Sequence, residues 1–95
     1  MTTDEVFLSD WQDHFQVSLP SNPTTGHMWD LVEKNHASII SRTADIGSRP
    51  GQGSVETFTF KLLAPRGCIL TLRYKRPWED AVVREHRIRV LYPRY

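Results

Sequence analysis

The side chains in this sequence that could do chemistry are histidines, serines, carboxylates and one cysteine, and their spacing limits what that chemistry could be. The four histidines, at positions 14, 27, 36 and 86, form no His-x-x-His or Glu-x-x-His arrangement, and Cys68 has no second cysteine beside it. A zinc site draws its ligands from such closely spaced pairs. We therefore expect no metal and no other cofactor, and we interpret each histidine as a surface or half-buried strand residue.

Two short segments have a superficial likeness to catalytic or phosphate-binding motifs. Gly53-Ser54 lacks the flanking residues of a nucleophile elbow. Gly51-Gln52-Gly53 is not followed by the Gly-Lys-Thr and the helix that a phosphate cradle requires. The sequence therefore predicts a protein that is not an enzyme.

The segment Ser21-Asn22-Pro23-Thr24-Thr25-Gly26 is composed of residues that restrict the shape of a loop. Asn caps turns through its side chain, Pro fixes φ at about −65°, and Gly permits a positive φ. The two threonines are stiff at χ1 because they are β-branched. This chemistry predicts a rigid, narrow wedge that loses little entropy on binding. A tight loop with no partner is the alternative.

Two further loop segments have contrasting chemistry. Ser48 to Ser54 has almost no side-chain bulk, so it is either a surface that another backbone approaches closely or a flexible connection between strands. Arg76-Pro77-Trp78 combines a rigid proline with two residue types that are enriched at binding hot spots. For Trp78 the alternative is packing over the edge of the domain. Trp29 lies on the apolar face of an alternating segment, which predicts core packing.

Strands are the elements that must position these loops. β-Branched and aromatic residues number 30, whereas Ala and Leu together number 12. Alternation of apolar and polar residues predicts about seven strands, at 6–8, 15–19, 28–31, 37–42, 57–62, 70–75 and 88–92. The segment 78–87 has no helical periodicity and is predicted to be a loop. Short strands separated by turns are typical of an all-β, immunoglobulin-like antiparallel β-sandwich, although the inter-sheet disulfide of that fold is absent.

Length and turn residues support a small binding domain. Ninety-five residues is one domain's worth of chain, so we expect a single domain over residues 1–95. Of the 11 Pro and Gly residues, eight lie in or beside the three loops. The apolar neighbours of Cys68 predict a buried thiol.

The charge is divided unevenly along the chain. Residues 1–47 carry two basic and seven acidic side chains, a net −5, and residues 48–95 carry ten basic and four acidic ones, a net +6. The arginines alternate with apolar residues, as on the solvated face of a strand, and do not form the block typical of a nucleic-acid-binding tail. The sequence has no 18-residue apolar run, and residues 1–5 lack the basic start and the apolar stretch typical of a signal peptide. We expect no nucleic-acid or membrane partner, and either a cytoplasmic location or the mature form of an exported or lysosome-targeted protein.

Taken jointly and in order, the three loops resemble those of the chagasin-like family of cysteine peptidase inhibitors. Asn22 to Gly26 is similar to the family's Asn-Pro-Thr-Thr-Gly loop, Gly51 to Ser54 to its Gly-x-Gly-Gly loop, and Arg76 to Trp78 to its Arg-Pro-Trp loop. The lead-in Pro20-Ser21 and Trp29 also look like the family. The similarity covers about residues 15–92, which is nearly the whole chain.

Two positions depart from the family pattern. Ser54 stands where the family has the last glycine of its middle loop, which predicts that this loop is stiffer or held differently. His27 occupies a position that is usually Phe or Tyr, so an aromatic contact there is in question and a mild pH dependence is expected.

The resemblance implies a reversible, non-covalent inhibitor of papain-like, cathepsin-like cysteine endopeptidases that acts as a monomer. By similarity, the first loop enters the active-site cleft with Thr24 and Thr25 nearest the catalytic pair, and the other two loops flank it. The peptidase-binding residues expected on this basis are Asn22, Pro23, Thr24, Thr25, Gly26, Gly51, Gly53, Ser54, Arg76, Pro77 and Trp78. The alternatives are an immunoglobulin-like adhesion or carbohydrate-binding module that uses a sheet face and, third, a small hydrolase.

Overall fold

Seven β-strands are present in the computed structural model, which describes residues 2–9, 12–22, 26–45 and 54–92. No segment in these ranges is helical, and so none of them supplies a helix able to cross a membrane. The strands are β1 (Thr2–Phe7), β2 (His14–Ser21), β3 (Met28–Leu31), β4 (Ala37–Asp45), β5 (Ser54–Leu62), β6 (Cys68–Lys75) and β7 (Arg84–Leu91). The prediction of an all-β chain with about seven strands is confirmed.

The strands form two sheets that face each other. The first sheet has the order β1-β7-β6-β3, and the second has the order β2-β5-β4. The β1–β7 pair is parallel, and the other pairs are antiparallel. This arrangement is the predicted immunoglobulin-like sandwich, with a strand order that period-2 alternation alone does not specify.

The core lies between the two sheets because each long strand turns its apolar residues to one face. Phe58 and Phe60 of β5, and Leu70 and Leu72 of β6, are fully buried. The Phe60 ring also stacks on Phe15 of β2 with centroids 5.2 Å apart. Burial of one such side chain contributes about 1.5–3 kcal/mol. Trp29 belongs to the same core, as its position on an alternating strand predicted.

The outer face of β7 carries the alternating arginines. Arg87 and Arg89 are exposed there and lie 3.9 Å and 3.8 Å from carboxylate oxygens of Glu85 and Glu5. Exposed pairs of this kind contribute about 0–1 kcal/mol each. The prediction that these arginines form a solvated strand face is confirmed.

The predicted loop over residues 78–87 is wrong in its last four residues, because β7 begins at Arg84. The same error affected His86, which is only 3% exposed and not a surface or half-buried residue. Its Nε2 forms a hydrogen bond with Asp4 Oδ2 at 3.0 Å, and its Nδ1 forms one with the Thr2 hydroxyl. Both partners belong to β1. His86 therefore has these partners because β1, at the start of the chain, pairs with β7, near the end of the chain.

Cys68 was predicted to be buried, but it is only partly so. It is the first residue of β6 and packs against the core while remaining partly exposed, and its neighbour Ile69 is exposed. Burial and the nearby Glu33 carboxylate raise the pKa of the Cys68 thiol, while Arg66 opposes them. The neutral thiol therefore predominates near neutral pH.

Candidate functional site

The strand register places the three predicted loops at one end of the sandwich. Ser21, at the end of β2, pairs with Ser54, at the start of β5. Met28, at the start of β3, pairs with Lys75, at the end of β6. The first loop therefore leaves one sheet beside the second loop and enters the other sheet beside the third. It occupies the middle position of the three.

Five of the predicted binding residues lie outside the described residues, namely Pro23, Thr24, Thr25, Gly51 and Gly53. The described ones, Asn22, Gly26, Ser54, Arg76, Pro77 and Trp78, all lie at the end of the sandwich where the loops meet. The structure brings Gly26 and Trp78 into contact, and it connects Ser54 to the strand that leads into the first loop.

The side-chain hydroxyl of Tyr74 in β6 holds the main chain at the start of the first loop. Its hydroxyl accepts a hydrogen bond from the Asn22 N–H at 2.8 Å and donates one to the Asn22 carbonyl at 3.3 Å. A phenolic hydroxyl has one proton to donate and lone pairs to accept with, so one group serves both main-chain atoms. Tyr74 is almost fully buried and therefore fixes the position at which the chain leaves β2.

Two further side chains hold the residues just before Asn22. The Trp29 Nε1–H donates to the Pro20 carbonyl at 3.1 Å, and the Ser54 hydroxyl donates to the Ser21 carbonyl at 2.7 Å. The carbonyls of residues 20, 21 and 22 thus each accept a hydrogen bond from a side chain on a different strand. We call Trp29, Ser54 and Tyr74 the carbonyl clamp.

Ser54 bonds through its hydroxyl to the strand that leads into the first loop. A glycine at this position could not supply the hydroxyl that bonds to Ser21. Residues 46–53 lie outside the described ranges, so the expectation that the second loop is stiffer or held differently stays a prediction. The side chain of Ser54 is buried, so it connects the second loop to the first and offers little surface to a partner.

The end of the first loop is shaped by a glycine and a tryptophan. Gly26 has φ of 78°, a conformation that L-residues with a Cβ rarely adopt. A Cβ at this position would also lie 3.0 Å from Cη2 of Trp78. The indole ring therefore covers Gly26, while the side chain as a whole stays 72% exposed. Trp78 does not fold over the sandwich edge into the core.

His27 makes an aromatic contact although it replaces the usual Phe or Tyr. Its ring stacks on Tyr74 with centroids 5.3 Å apart and an interplanar angle of 23°. Tyr74 in turn packs on Trp29 at 4.9 Å. The clamp tyrosine is therefore held between two rings, which restricts the motion of its hydroxyl.

The third loop begins with a tight turn over residues 76–79. The Glu79 N–H donates to the Arg76 carbonyl at 3.0 Å, and the two side chains form an ion pair with 2.9 Å between Nη1 and Oε1. Pro77 lies at the second position of this turn, where its fixed φ is favoured. The turn places Trp78 at its exposed tip.

The chemistry of this end is that of a binding surface. Within the described ranges no group of three histidine, cysteine or carboxylate side chains could hold a metal ion. Cys68 lies at the opposite end of β6 and carries a thiol with a raised pKa, which makes it a poor nucleophile. The site consists of a clamped loop, a buttressing indole and a tight turn.

Sequence reasoning missed the central member of the clamp. Tyr74 was assigned only to the apolar face of an alternating strand. The available signal was its hydroxyl, since a buried tyrosine usually finds a hydrogen-bond partner, and its position is two residues before Arg76.

A family model described as chagasin family peptidase inhibitor I42 matches residues 10–91. Among solved structures, the chain is similar to the cysteine protease inhibitor EhICP2 from Entamoeba histolytica, with a TM-score of 0.75 and 23% sequence identity. That match covers 97% of this chain and 93% of the other. No curated protein matched the chain.

Proposed function

The chain belongs to the chagasin family of peptidase inhibitors, and from this premise we propose that it is a reversible, non-covalent inhibitor of papain-like cysteine endopeptidases. The similar fold belongs to a protein described as a cysteine protease inhibitor, which supports this class of target. Cathepsin-like endopeptidases are the expected targets within that class. One copy of the chain acts as a single inhibitory domain.

The observation that carries the proposal is the carbonyl clamp on the first loop. Side chains from β3, β5 and β6 hold three consecutive carbonyls at the point where the first loop leaves β2. A loop with so many restraints loses little conformational entropy when it enters a cleft, and each side chain left free would cost about 0.5–1.5 kcal/mol on binding. The Asn22–Gly26 segment is therefore the part that enters the active-site cleft.

The other two loops flank the cleft in this proposal. Trp78 offers its exposed indole to one side of the peptidase, and the Gly51–Ser54 segment meets the other side through its main chain. Arg76 is held by its ion pair with Glu79, which fixes the turn that carries Trp78. An interface of about 1,600 Å² in total is standard for protease–inhibitor complexes.

Inhibition in this way needs shape and no reaction. Pro23 keeps the loop backbone away from the extended geometry that a peptidase cleaves. The chain contributes no nucleophile, so both proteins would be recovered unmodified from the complex.

An adhesion or carbohydrate-binding module would use a sheet face, and no observation favours it. The exposed large apolar side chains in the described ranges include two aromatic ones, Phe7 and Trp78. Trp78 lies at the loop end, and Phe7 is a lone aromatic at the far end of β1. A row of exposed aromatic rings suited to stacking on sugars is therefore not formed on the described sheet faces.

The test is an inhibition assay with purified chain against papain and a cathepsin L-type endopeptidase, with trypsin as the control enzyme. We expect inhibition of the first two, recovery of activity on dilution, and unchanged intact masses of both partners. Thr24→Ala/Thr25→Ala should weaken inhibition, whereas Thr43→Ala, an exposed strand threonine, should not. Absent inhibition of papain, or equal inhibition of trypsin, would contradict the proposal.

A further inference from the structure

An open groove lies at the end of the sandwich opposite the three loops. β6 begins there and β7 ends there, with Cys68 paired to Val90. The groove has a volume of about 680 Å³, and its lining includes Pro65, Arg66, Gly67, Ile69, Arg89 and Leu91. This volume is within the range of about 300–1,000 Å³ that is usual for ligand sites. We call it the distal groove.

An apolar patch adjoins this groove on the outer face of the first sheet. Phe7 of β1 pairs directly with Leu91 of β7, and Ile69 of β6 pairs with Arg89, two residues before Leu91. Neighbouring strands are about 4.8 Å apart, so Phe7 and Leu91 are neighbours on adjacent strands, and Ile69 lies diagonally from Leu91 on the other side of β7. Phe7 is 75% exposed and Ile69 is 52% exposed. Exposed apolar groups that cluster in this way mark interaction surfaces more often than scattered ones do.

Positive charge borders the same patch. Arg66 and Arg89 line the groove, and no acidic side chain lines it. Arg89 has a loose contact with Glu5 at 3.8 Å. Among the described residues, no carboxylate lies within ion-pair distance of Arg66. An exposed guanidinium without a carboxylate is well suited to a carboxylate supplied by a partner, which it can bind bidentately.

The floor of the groove depends on a close backbone approach. A Cβ at Gly67 would lie 2.9 Å from the Val90 carbonyl oxygen, a distance too short for any side chain. The turn that carries Arg66 is therefore seated directly on β7, and the N–H of Arg66 donates to the Ala64 carbonyl at 2.9 Å. This close approach fixes the backbone of the turn beside β7.

We propose that the distal groove and its patch bind an extended acidic polypeptide segment in which apolar residues alternate with carboxylates. The apolar residues cover Phe7, Ile69 and Leu91, and the carboxylates pair with Arg66 and Arg89. Because the groove and the three loops are at opposite ends, such a partner binds without displacing a peptidase from the loops.

The test uses fluorescence anisotropy with a fluorescein-labelled peptide of sequence Glu-Leu-Asp-Phe-Glu-Leu-Asp-Glu. Two control peptides replace its acidic residues by lysine or its apolar residues by glycine. We expect the acidic apolar peptide to bind and both controls to bind at least about tenfold more weakly, with affinity that falls as salt rises. Backbone amide shifts in NMR spectra should change at Ile69 and Leu91 and stay unchanged at Trp78.

Matched variants separate the groove from general positive charge. Arg66→Glu should weaken binding about tenfold or more. Phe7→Ser, which changes no charge, should also weaken binding. Arg84→Glu removes an exposed arginine at the other end of β7 and should change binding less than about twofold. Thermal unfolding of each variant confirms that it is folded.

Four outcomes would overturn the proposal. They are equal binding of the lysine peptide, unchanged binding by Arg66→Glu, tighter binding of a single-stranded oligonucleotide of equal charge, and concentration-dependent self-association that Phe7→Ser abolishes. The experiment needs no peptidase, so its result is independent of whether the loop end inhibits one. A final titration with the loops saturated by papain should give the same peptide affinity.

Discussion

Replacement of Tyr74 by phenylalanine tests whether the carbonyl clamp determines the shape of the first loop. The change removes one hydroxyl, and with it the 2.8 Å bond from the Asn22 N–H and the 3.3 Å bond to the Asn22 carbonyl. The ring remains, so the stacking on His27 and Trp29 is preserved. Tyr74→Phe is therefore a change in hydrogen bonding at one residue of the loop.

The expected size of the effect follows from those two bonds. A hydrogen bond between neutral groups contributes about 0.5–1.5 kcal/mol net, and the longer of the two belongs at the low end of that range. The free energy of unfolding should fall by about 1–2 kcal/mol. The loop of the free variant is less restrained and must be ordered again on binding. If that ordering costs about 1 kcal/mol, the inhibition constant for papain should rise roughly fivefold, since 1.4 kcal/mol corresponds to tenfold.

Tyr92→Phe is the matched control, because it removes a similar bond far from the loops. The Tyr92 hydroxyl donates to the Gln12 carbonyl at 3.0 Å. This variant should lose about 1 kcal/mol of stability and keep its inhibition constant within about twofold. Urea unfolding and steady-state inhibition of papain are measured for both variants. An inhibition constant for Tyr74→Phe within twofold of the parent, or an equal loss in Tyr92→Phe, would refute the role assigned to the clamp.

Three other predictions concern single residues of the same structure. Trp78→Ala should weaken papain binding by about 2 kcal/mol or more with little change in stability. Trp29→Ala should instead lower the free energy of unfolding by about 3–5 kcal/mol. Calorimetry and inhibition assays distinguish the two variants, and the reverse pattern would contradict the assignment of Trp78 to binding and Trp29 to the core. Ser54→Gly removes the bond to the Ser21 carbonyl and should cost about 1 kcal/mol in urea unfolding, with weaker inhibition; an unchanged midpoint would show that the bond contributes nothing. The folded-state pKa of Cys68 is raised, mainly by burial, so its contribution to stability is fully present below the unfolded thiol pKa of about 8.5 and is lost as the pH rises from there through the folded-state pKa. This decline in the free energy of unfolding should be absent in Cys68→Ala, and an identical decline in the variant would contradict the prediction.

The elements of this fold could be predicted wherever one face of a strand is buried. Phe58 and Phe60 alternate with polar residues because β5 lies in the middle of its sheet, and that pattern is local. Partner choice between strands is not local. The pairing of β1 with β7 joins residues more than eighty positions apart, and for that reason His86 was misassigned to a loop.

The candidate site was predictable in its loops but not in what holds them. Pro77 and Gly26 have restricted or unusual backbone conformations that are recognisable from residue type alone. The bonds that Tyr74 and Ser54 make to main-chain carbonyls depend on the register of strands, which residue type does not encode. For Thr24 and Thr25, which lie outside the described residues, the assignment stays a prediction.

The clamp also connects inhibition to the order in which the chain folds. Its three donors are 9, 33 and 52 residues away from the carbonyls they bind, and they belong to both sheets. Closing contacts over such separations is slow compared with local structure formation. The first loop therefore acquires its restraints only when β3, β5 and β6 are all in place. A partly folded chain would present this segment to a peptidase as an unrestrained peptide that the enzyme could cut. Under the proposed function, the same sequence would thus be a substrate before assembly and an obstruction after it.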